Sequence, residues 1–514
     1  MVQSETSRRD TVYTSRIEKN RRQPVGRCPV EILEEVFLYV RDTTLSDFFG
    51  EIDPSLLPLK DAYRWLRIAL VCQRWKDIVF SCPTIWSIII CGHIRKETLS
   101  LFLTRSRRTS LRVFVSENST CLPPSQGGCQ FLHSRHSDAI AAELRQTINL
   151  LSPHFHRIEA LSYCSNFFPE DLLSVLNAPR LGVLRVGSHQ SHFYPRKLPP
   201  LFAAGRPPLT TLKVVALPSL PTPLNVQHLS FHGQSLSDSL FTRCLFDTLA
   251  QNPGLQSLSL VGGDDTIEDT LGWVPDSPLH LDHLETLTLA FYSPELISTL
   301  LSHLQIPESA ALVIDHEDAA YDIGEFLPLD DSHLPRLHAV SEIVVQYDSD
   351  TCDLLFKTPD SSSPALLAHG MLNFEDIDLE IFGNIYGFSN IHTLTLRSTD
   401  FFDKVSSEFW QWVIENMTSL ERISLENVTP HTLIQALLNN TGYALPEFDA
   451  TADVMYCNDE SHHGRIIAHS GHSFSVTVNG ALATVAVVFD CHPPTSSDAI
   501  SNVKSIRTIL DISP

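Results

Sequence analysis

The side chains best suited to metal chemistry lie near the carboxyl end of the chain. Cysteine, aspartate and histidine can all ligate zinc. One short stretch brings together Cys457, Asp459, His462, His463, His469 and His472. The group lacks the paired-ligand spacing of a zinc finger. We therefore interpret it as a polar loop, and we expect no bound metal and no cofactor.

Motifs that mark common enzyme classes are missing from the sequence. There is no Gly-x-Ser-x-Gly nucleophile elbow, no phosphate-binding glycine loop and no His-Glu-x-x-His helix. Eleven cysteines and 23 histidines make chance pairs inevitable, and no spacing selects one of them. We expect no catalytic residue, so the chain is predicted to work by binding.

Charge is distributed unevenly along the 514 residues, of which 43% are hydrophobic. The net charge is −23, but residues 1–112 carry +6 and residues 113–514 carry −29. Such a split suggests at least two functional parts. An acidic body repels phosphate, so nucleic acid is not an expected partner. An acidic body is better suited to binding a basic protein.

No targeting or membrane segment is apparent in the sequence. The amino terminus lacks the apolar region of a secretory signal. The longest apolar run, Ala481–Phe489, falls far short of the roughly 20 residues of a membrane span. We expect reduced thiols, a cytoplasmic or nuclear location and no membrane association. Residues 1–26 are predicted to be a disordered basic tail, the alternatives being a nuclear signal or an RNA-contacting arm.

Two amphipathic segments predict a small helical module. The first, Cys28–Val40, has a proline suited to the first helical turn and apolar residues recurring on one stripe. Residues 41–60 are predicted to be a loop. The second helix is predicted over Trp65–Val79 and is stopped by Cys82-Pro83. A following turn then returns Trp86 to the core. The apolar face of the second predicted helix is wider than one small core needs, which suggests a docking surface.

The order and spacing of these residues resemble an F-box, and in particular the F-box-like domains of mushroom-forming fungi. The likeness covers residues 27–90: Cys28-Pro-x-Glu-Ile-Leu33, then Leu70-Val-Cys-x-x-Trp75, then Pro83-x-x-Trp86. Cys28 stands where that family usually has leucine. The resemblance implies docking on a Skp-type adaptor, and through it on a cullin. The implied adaptor contacts are Pro29, Ile32, Leu33, Phe37, Leu70, Val71, Cys72 and Trp75.

Residues 91–442 repeat the phrase apolar-x-x-apolar-x-apolar. The eight copies begin at Ile158, Leu181, Leu209, Val226, Leu255, Leu284, Ile391 and Leu420. Most start 23 to 29 residues apart, within the range of about 20–29 for a leucine-rich repeat, which this segment resembles in degenerate form. The long gap after Leu284 has room for further copies, such as those ending at Ile314 and Val345. Each repeat is predicted to give a short strand and then a helix.

Alternate residues of the predicted strands would form a concave face that binds a target protein. For any one of them, ordinary solvated polarity is the competing interpretation. The candidates are Arg185, Lys213, Ser259, Thr288, Thr395 and Arg397.

Three further segments fall outside the repeat pattern. Pro195–Pro223 is proline-rich and predicts an extended loop. Residues 308–331 are acidic, and either recruit a basic partner or form an ordinary loop. In residues 443–514, Asn479-Gly480 between two apolar runs predicts a hairpin, within a β-rich cap or a separate lobe.

The sequence thus predicts an α/β fold, with an N-terminal helical F-box, an irregular leucine-rich-repeat solenoid and a small β-rich C-terminal cap. The expected function is that of a non-catalytic substrate receptor in an SCF-type (Skp–cullin–F-box) ubiquitin ligase. The alternatives are an interaction scaffold outside the ligase and, as a third hypothesis, an enzyme built around the acidic or histidine-rich segments.

Overall fold

The structure is a computed structural model. It describes residues 23–49, 63–91, 94–116, 133–164, 177–187, 208–215, 225–263, 270–316, 323–328, 334–348, 351–359, 364–370, 390–402, 405, 407–428, 433, 436, 472–478, 481–491 and 503–513. Helices and mostly parallel strands confirm the α/β class. None of the helices in these ranges is both long and apolar enough to cross a bilayer. The chain divides into two compact units, Met1–His232 and Gly233–Pro514.

The first unit begins with a helical turn, Pro24–Arg27, and then helix α1, Val30–Phe49. The predicted loop over 41–60 is wrong at its start, because α1 continues to Phe49. Leu33, Phe37, Arg41 and Leu45 recur every fourth residue and are all buried. Arg41 concealed this continuation, since its charge suggested the surface. Its guanidinium in fact donates to the carbonyl oxygen of Thr84.

The second predicted helix is broken in two. A 3₁₀ helix spans Arg64–Leu70, and helix α2 spans Gln73–Ser81. Cys72 between them has extended backbone, and its carbonyl accepts the first α2 hydrogen bond from Lys76 at 3.0 Å. Because apolar residues continue without interruption across the break, the sequence pattern resembled one helix.

The return of Trp86 to the core is confirmed. It ends the 3₁₀ turn Pro83–Trp86, is buried, and donates from Nε1 to the Val79 carbonyl at 2.7 Å. Phe80 stacks on its ring at 5.5 Å between centroids, and Phe102 meets it edge-on at 4.9 Å. These aromatic contacts join the helical module to the helix that follows it.

Six parallel strands complete the first unit and pair in chain order. Their connections include helices α3, Lys96–Arg105, and α4, His133–Leu151. The strands are β1 Ile88–Cys91, β2 Leu111–Ser116, β3 Ile158–Cys164, β4 Val183–Gly187, β5 Thr211–Val215 and β6 His228–His232. One buried ladder in exact register runs through Leu161, Leu184, Leu212 and Leu229.

Among its described residues, the second unit holds three α-helices and all of the remaining strands. The helices are α5 Ser239–Ala250, α6 Pro294–Ser302 and α7 Ser407–Asn416. The strands are β7 Ser257–Val261, β8 Leu279–His280, β9 Thr286–Ala290, β10 Leu304–Gln305, β11 Ala311–His316, β12 Glu342–Asp348, β13 Thr351–Lys357, β14 Leu366–Gly370, β15 Thr393–Phe402, β16 Arg422–Val428, β17 His472–Val478, β18 Ala481–Cys491 and β19 Val503–Ser513.

Each of the eight repeat phrases coincides with a described strand, and helices α5 and α7 occupy stretches predicted to be helical. The long gap after Leu284 holds more than repeats. Strands β11 and β12 carry the two degenerate copies, but β13 is antiparallel to both of its neighbours, β12 and β14, while β14 is parallel to β11. The sheet order β9–β11–β14–β13–β12–β15 therefore includes an antiparallel insertion between parallel strands.

The predicted C-terminal hairpin is confirmed in its backbone, since β17 and β18 pair antiparallel with Val478 opposite Ala481. Strand β19 pairs with β18 and also with β16, so these strands extend the sheet beyond the last repeat strand. Most of the predicted proline-rich loop, residues 317–322 and 329–331 of the acidic segment, and residues 1–22 lie outside the described residues.

A buried arginine fastens α3 to the start of β3. Arg157 donates from Nη1 to Ser106 Oγ at 3.0 Å and to the Thr109 carbonyl at 3.2 Å. Its Nη2 donates to the Leu103 carbonyl at 3.0 Å. Burial lowers the pKa of this guanidinium. The hydrogen bonds of Arg157 supply donors at the end of α3, where carbonyl groups lack helical partners.

We expect Arg157→Met to destabilise the fold by about 2 kcal/mol, because a buried acceptor left without a donor costs about 1–3 kcal/mol. Urea denaturation followed by tryptophan fluorescence measures the change. Arg180→Met, at an exposed arginine of the same unit, is the matched control and should stay within about 0.5 kcal/mol. Equal losses in the two variants would contradict the anchoring role.

Candidate docking surface and candidate target face

Helix α1 carries apolar residues on two sides. Leu33 and Phe37 are 2% and 1% exposed and belong to the core. Ile32, Val36 and Tyr39 are 52%, 46% and 73% exposed, at the spacing of four and three residues that places side chains on one helix face. The exposed stripe is therefore surplus to the core of the first unit.

The break before α2 adds two further exposed side chains. Leu70 is 83% exposed and Val71 is 61% exposed. The 3₁₀ helix that ends at Leu70 packs against α1. We call Ile32, Val36, Tyr39, Leu70 and Val71 the docking surface. Large apolar residues exposed on adjoining elements commonly mark an interaction site.

The eight predicted adaptor contacts divide into three groups. Pro29, Ile32, Leu70 and Val71 are exposed, and Leu33 and Phe37 are core residues. Cys72 and Trp75 are half-buried, and the Trp75 ring packs on Phe37 with centroids 5.0 Å apart. The motif thus contains both the residues that build the module and the residues that it exposes.

Sequence reasoning missed the arginine that positions the start of α1. Arg74 in α2 donates from Nη2 to the Cys28 carbonyl at 2.5 Å, and from Nη1 to the Gly26 carbonyl. The Pro29 carbonyl then accepts from the Leu33 N–H at 3.2 Å, which begins the helix. Arg74 therefore orients the segment that carries Cys28 and Pro29.

A half-buried tyrosine, Tyr63, joins the 3₁₀ helix to the sheet. The Tyr63 hydroxyl donates to the Ile90 carbonyl at 2.6 Å and accepts from the Ile90 N–H at 3.0 Å. Burial, then the nearby Cys91, raises the pKa of Tyr63. Burial also raises the pKa of the Cys91 thiol to about 12, so this thiol stays protonated. Two hydrogen bonds therefore tie the residue that precedes the 3₁₀ helix to strand β1.

The six predicted target-binding residues form three neighbouring pairs. Arg185 and Lys213 are register partners on β4 and β5, Ser259 and Thr288 on β7 and β9, and Thr395 and Arg397 alternate on β15. Each lies on the sheet face opposite the leucine ladders. Arg185 and Thr395 are only 9% and 4% exposed, so they offer a partner little surface.

A row of polar residues on the second unit's sheet includes the predicted residue Arg397, but its other members were not among the candidates from the sequence. Its members occupy consecutive strands in register: Asp315, His369, Asp353, Gln346, Arg397 and Glu426. Strands β13 and β14 lack the repeat phrase, and their order in the sheet differs from their order in the chain. For these two reasons the row as a whole could not be predicted from the sequence.

One ion pair and one hydrogen bond organise this polar row. The Arg397 Nε lies 3.0 Å from Glu426 Oε2, and His369 Nδ1 is hydrogen-bonded to Asp353 Oδ1. Burial is the main cause that raises the pKa of Asp315, and Asp353 adds to it, while His369 and His316 oppose it. Asp315 is therefore the carboxylate of the row for which the charged form is disfavoured.

Within the described ranges, no cluster of histidine, cysteine, aspartate or glutamate has an arrangement that could hold a metal ion. The histidine-rich stretch 457–471 lies outside them, and His472 is described only as the first backbone position of β17.

Comparison of the chain with protein-family models, with curated proteins and with solved structures finds no match. A functional assignment therefore depends on the residues themselves and on the surfaces described above.

Two adjacent residues of α1 should respond differently to truncation. Leu33→Ala should cost about 2–5 kcal/mol of stability, because it removes core packing. Ile32→Ala, at a side chain 52% exposed, should cost no more than about 0.5 kcal/mol. Chemical denaturation of the two variants measures the difference. Equal costs would show that the two residues do not divide into core and surface in this way.

Proposed function

We propose that this chain is a non-catalytic substrate receptor of an SCF-type ubiquitin ligase. Its F-box-like helices dock on a Skp-type adaptor, which links them to a cullin, and its repeats hold a target protein. The observation that carries the proposal is the docking surface, because Ile32, Leu70 and Val71 occupy F-box motif positions and are exposed although apolar.

The exposed side chains supply energy for binding a partner. Burying one aliphatic side chain of this size gains roughly 1.5–3 kcal/mol. Part of that gain is offset by the lost freedom of the two proteins and of their side chains. The fixed backbone around Tyr63 and Arg74 reduces the ordering cost, because the surface is already held in place. A protein adaptor with an apolar groove fits this surface.

The repeat strands support the receptor part of the proposal. Strands with leucines in register, with helices in several of the connections, are what stacked leucine-rich repeats require. A target held on them would have its lysines kept close to the ligase machinery. Such proximity raises the rate of ubiquitin transfer without a catalytic residue in this chain.

Adaptor binding should depend on the docking surface rather than on exposed apolar residues in general. Leu70→Asp should weaken binding to a purified Skp-type adaptor about tenfold or more, because burying an unpaired carboxylate is costly. Leu240→Asp is the matched control, since Leu240 is 71% exposed on α5. Isothermal titration calorimetry measures both variants against the wild-type chain.

Two outcomes would overturn this proposal: a wild-type chain that fails to bind the adaptor at micromolar concentration, or two variants with the same affinity. Adaptor binding without recruitment of a cullin would instead favour a scaffold acting outside the ligase. The exposures of Leu70 and Leu240 make both variants compatible with folding.

A further inference from the structure

The antiparallel insertion places a short apolar strip on one face of the second unit's sheet. Val313, Leu367 and Leu355 are register partners on the adjacent strands β11, β14 and β13. They alternate with buried core residues and therefore point to the opposite face, where each is half-buried. Hydrocarbon thus remains partly accessible across three neighbouring strands.

An acidic edge borders this strip on one side. Asp315, His369 and Asp353 lie two residues further along the same three strands, which places the rows about 7 Å apart. A lysine or arginine side chain can span that distance while its stem covers hydrocarbon. The Arg397 guanidinium is paired with Glu426 at 3.0 Å, so the partner of Asp353 on this edge is His369, which is hydrogen-bonded to it.

The opposite border of the strip carries no uncompensated charge. Lys357 and Glu342, on β13 and β12, form an ion pair with 3.5 Å between Nζ and Oε1. Excess negative charge therefore lies on one side of the strip only. Asp315 is partly buried, and this burial raises its pKa. Attraction between its carboxylate and a cation is strengthened when the cation displaces the remaining water, because the local dielectric constant is then lower.

We propose that this surface binds a peptide segment of the target in which Val, Leu or Ile residues neighbour Lys or Arg. The aliphatic side chains would cover Val313, Leu355 and Leu367, and the basic groups would pair with Asp315 and Asp353. Charge complementarity selects this occupant, and the net −29 of residues 113–514 adds longer-range attraction for a basic partner. The proposal rests on the receptor function above for the identity of its partner.

A fluorescein-labelled synthetic peptide of alternating leucine and lysine tests the site on the full-length chain by fluorescence anisotropy. The wild-type chain should bind it and should not bind the matched peptide of alternating leucine and glutamate. The double variant Asp315→Asn/Asp353→Asn should bind about tenfold more weakly. Asparagine at 353 can still hydrogen-bond His369, so the variant removes charge with little change in shape.

Glu342→Gln is the matched control, because it removes a carboxylate from the paired border of the same strip. Its affinity should remain within about twofold of wild type. The site is refuted if the wild-type chain binds neither peptide, if it binds both equally, or if the control loses as much affinity as the double variant. The same preparations are also titrated with the adaptor. Adaptor binding without peptide binding refutes the peptide site alone, and peptide binding without adaptor binding refutes the proposed receptor function alone.

Discussion

The alternation of side chains along each strand is the constraint on which both units depend. One residue in two along a strand faces the core. The last two apolar residues of the repeat phrase are two positions apart, so both face the core, and in parallel strands they lie beside the corresponding leucines of the neighbouring strand. A shift of one residue would turn Leu184 or Leu287 to the opposite face. The same alternation determines which residues remain accessible on that face, including Lys213, Thr288 and Arg397.

A small number of specific bonds hold the helical module together and tie it to strand β1. Trp86 and Arg41 donate to backbone carbonyls within the module, and Tyr63 donates to the Ile90 carbonyl of β1. With these interior contacts satisfied, the remaining apolar residues of α1 and the 3₁₀ helix stay at the surface. The division between Leu33 inside and Ile32 outside follows directly from helix geometry.

Much of the fold could be predicted from the sequence, because periodicity reports local geometry. The eight phrases coincide with strands, and Asn479-Gly480 marked the C-terminal hairpin. The break at Val71–Cys72 could not be predicted, since no proline or glycine lies there. The antiparallel pair β13–β14 was also missed, because neither strand carries the repeat phrase and β14 pairs with β11, from which β12 and β13 separate it in the chain. The burial of Arg185 was not predicted either, because it depends on packing by other parts of the chain and not on the sequence of β4 alone.

Hydrogen–deuterium exchange of the full-length chain, with and without a Skp-type adaptor, tests docking most directly. Docking at the proposed surface predicts slower exchange in residues 30–40 and 64–72 when the adaptor is present, with exchange in residues 233–428 unchanged. Slower exchange confined to the second unit, or no change at α1 and the 3₁₀ helix under saturating adaptor, would contradict the proposed role of this surface.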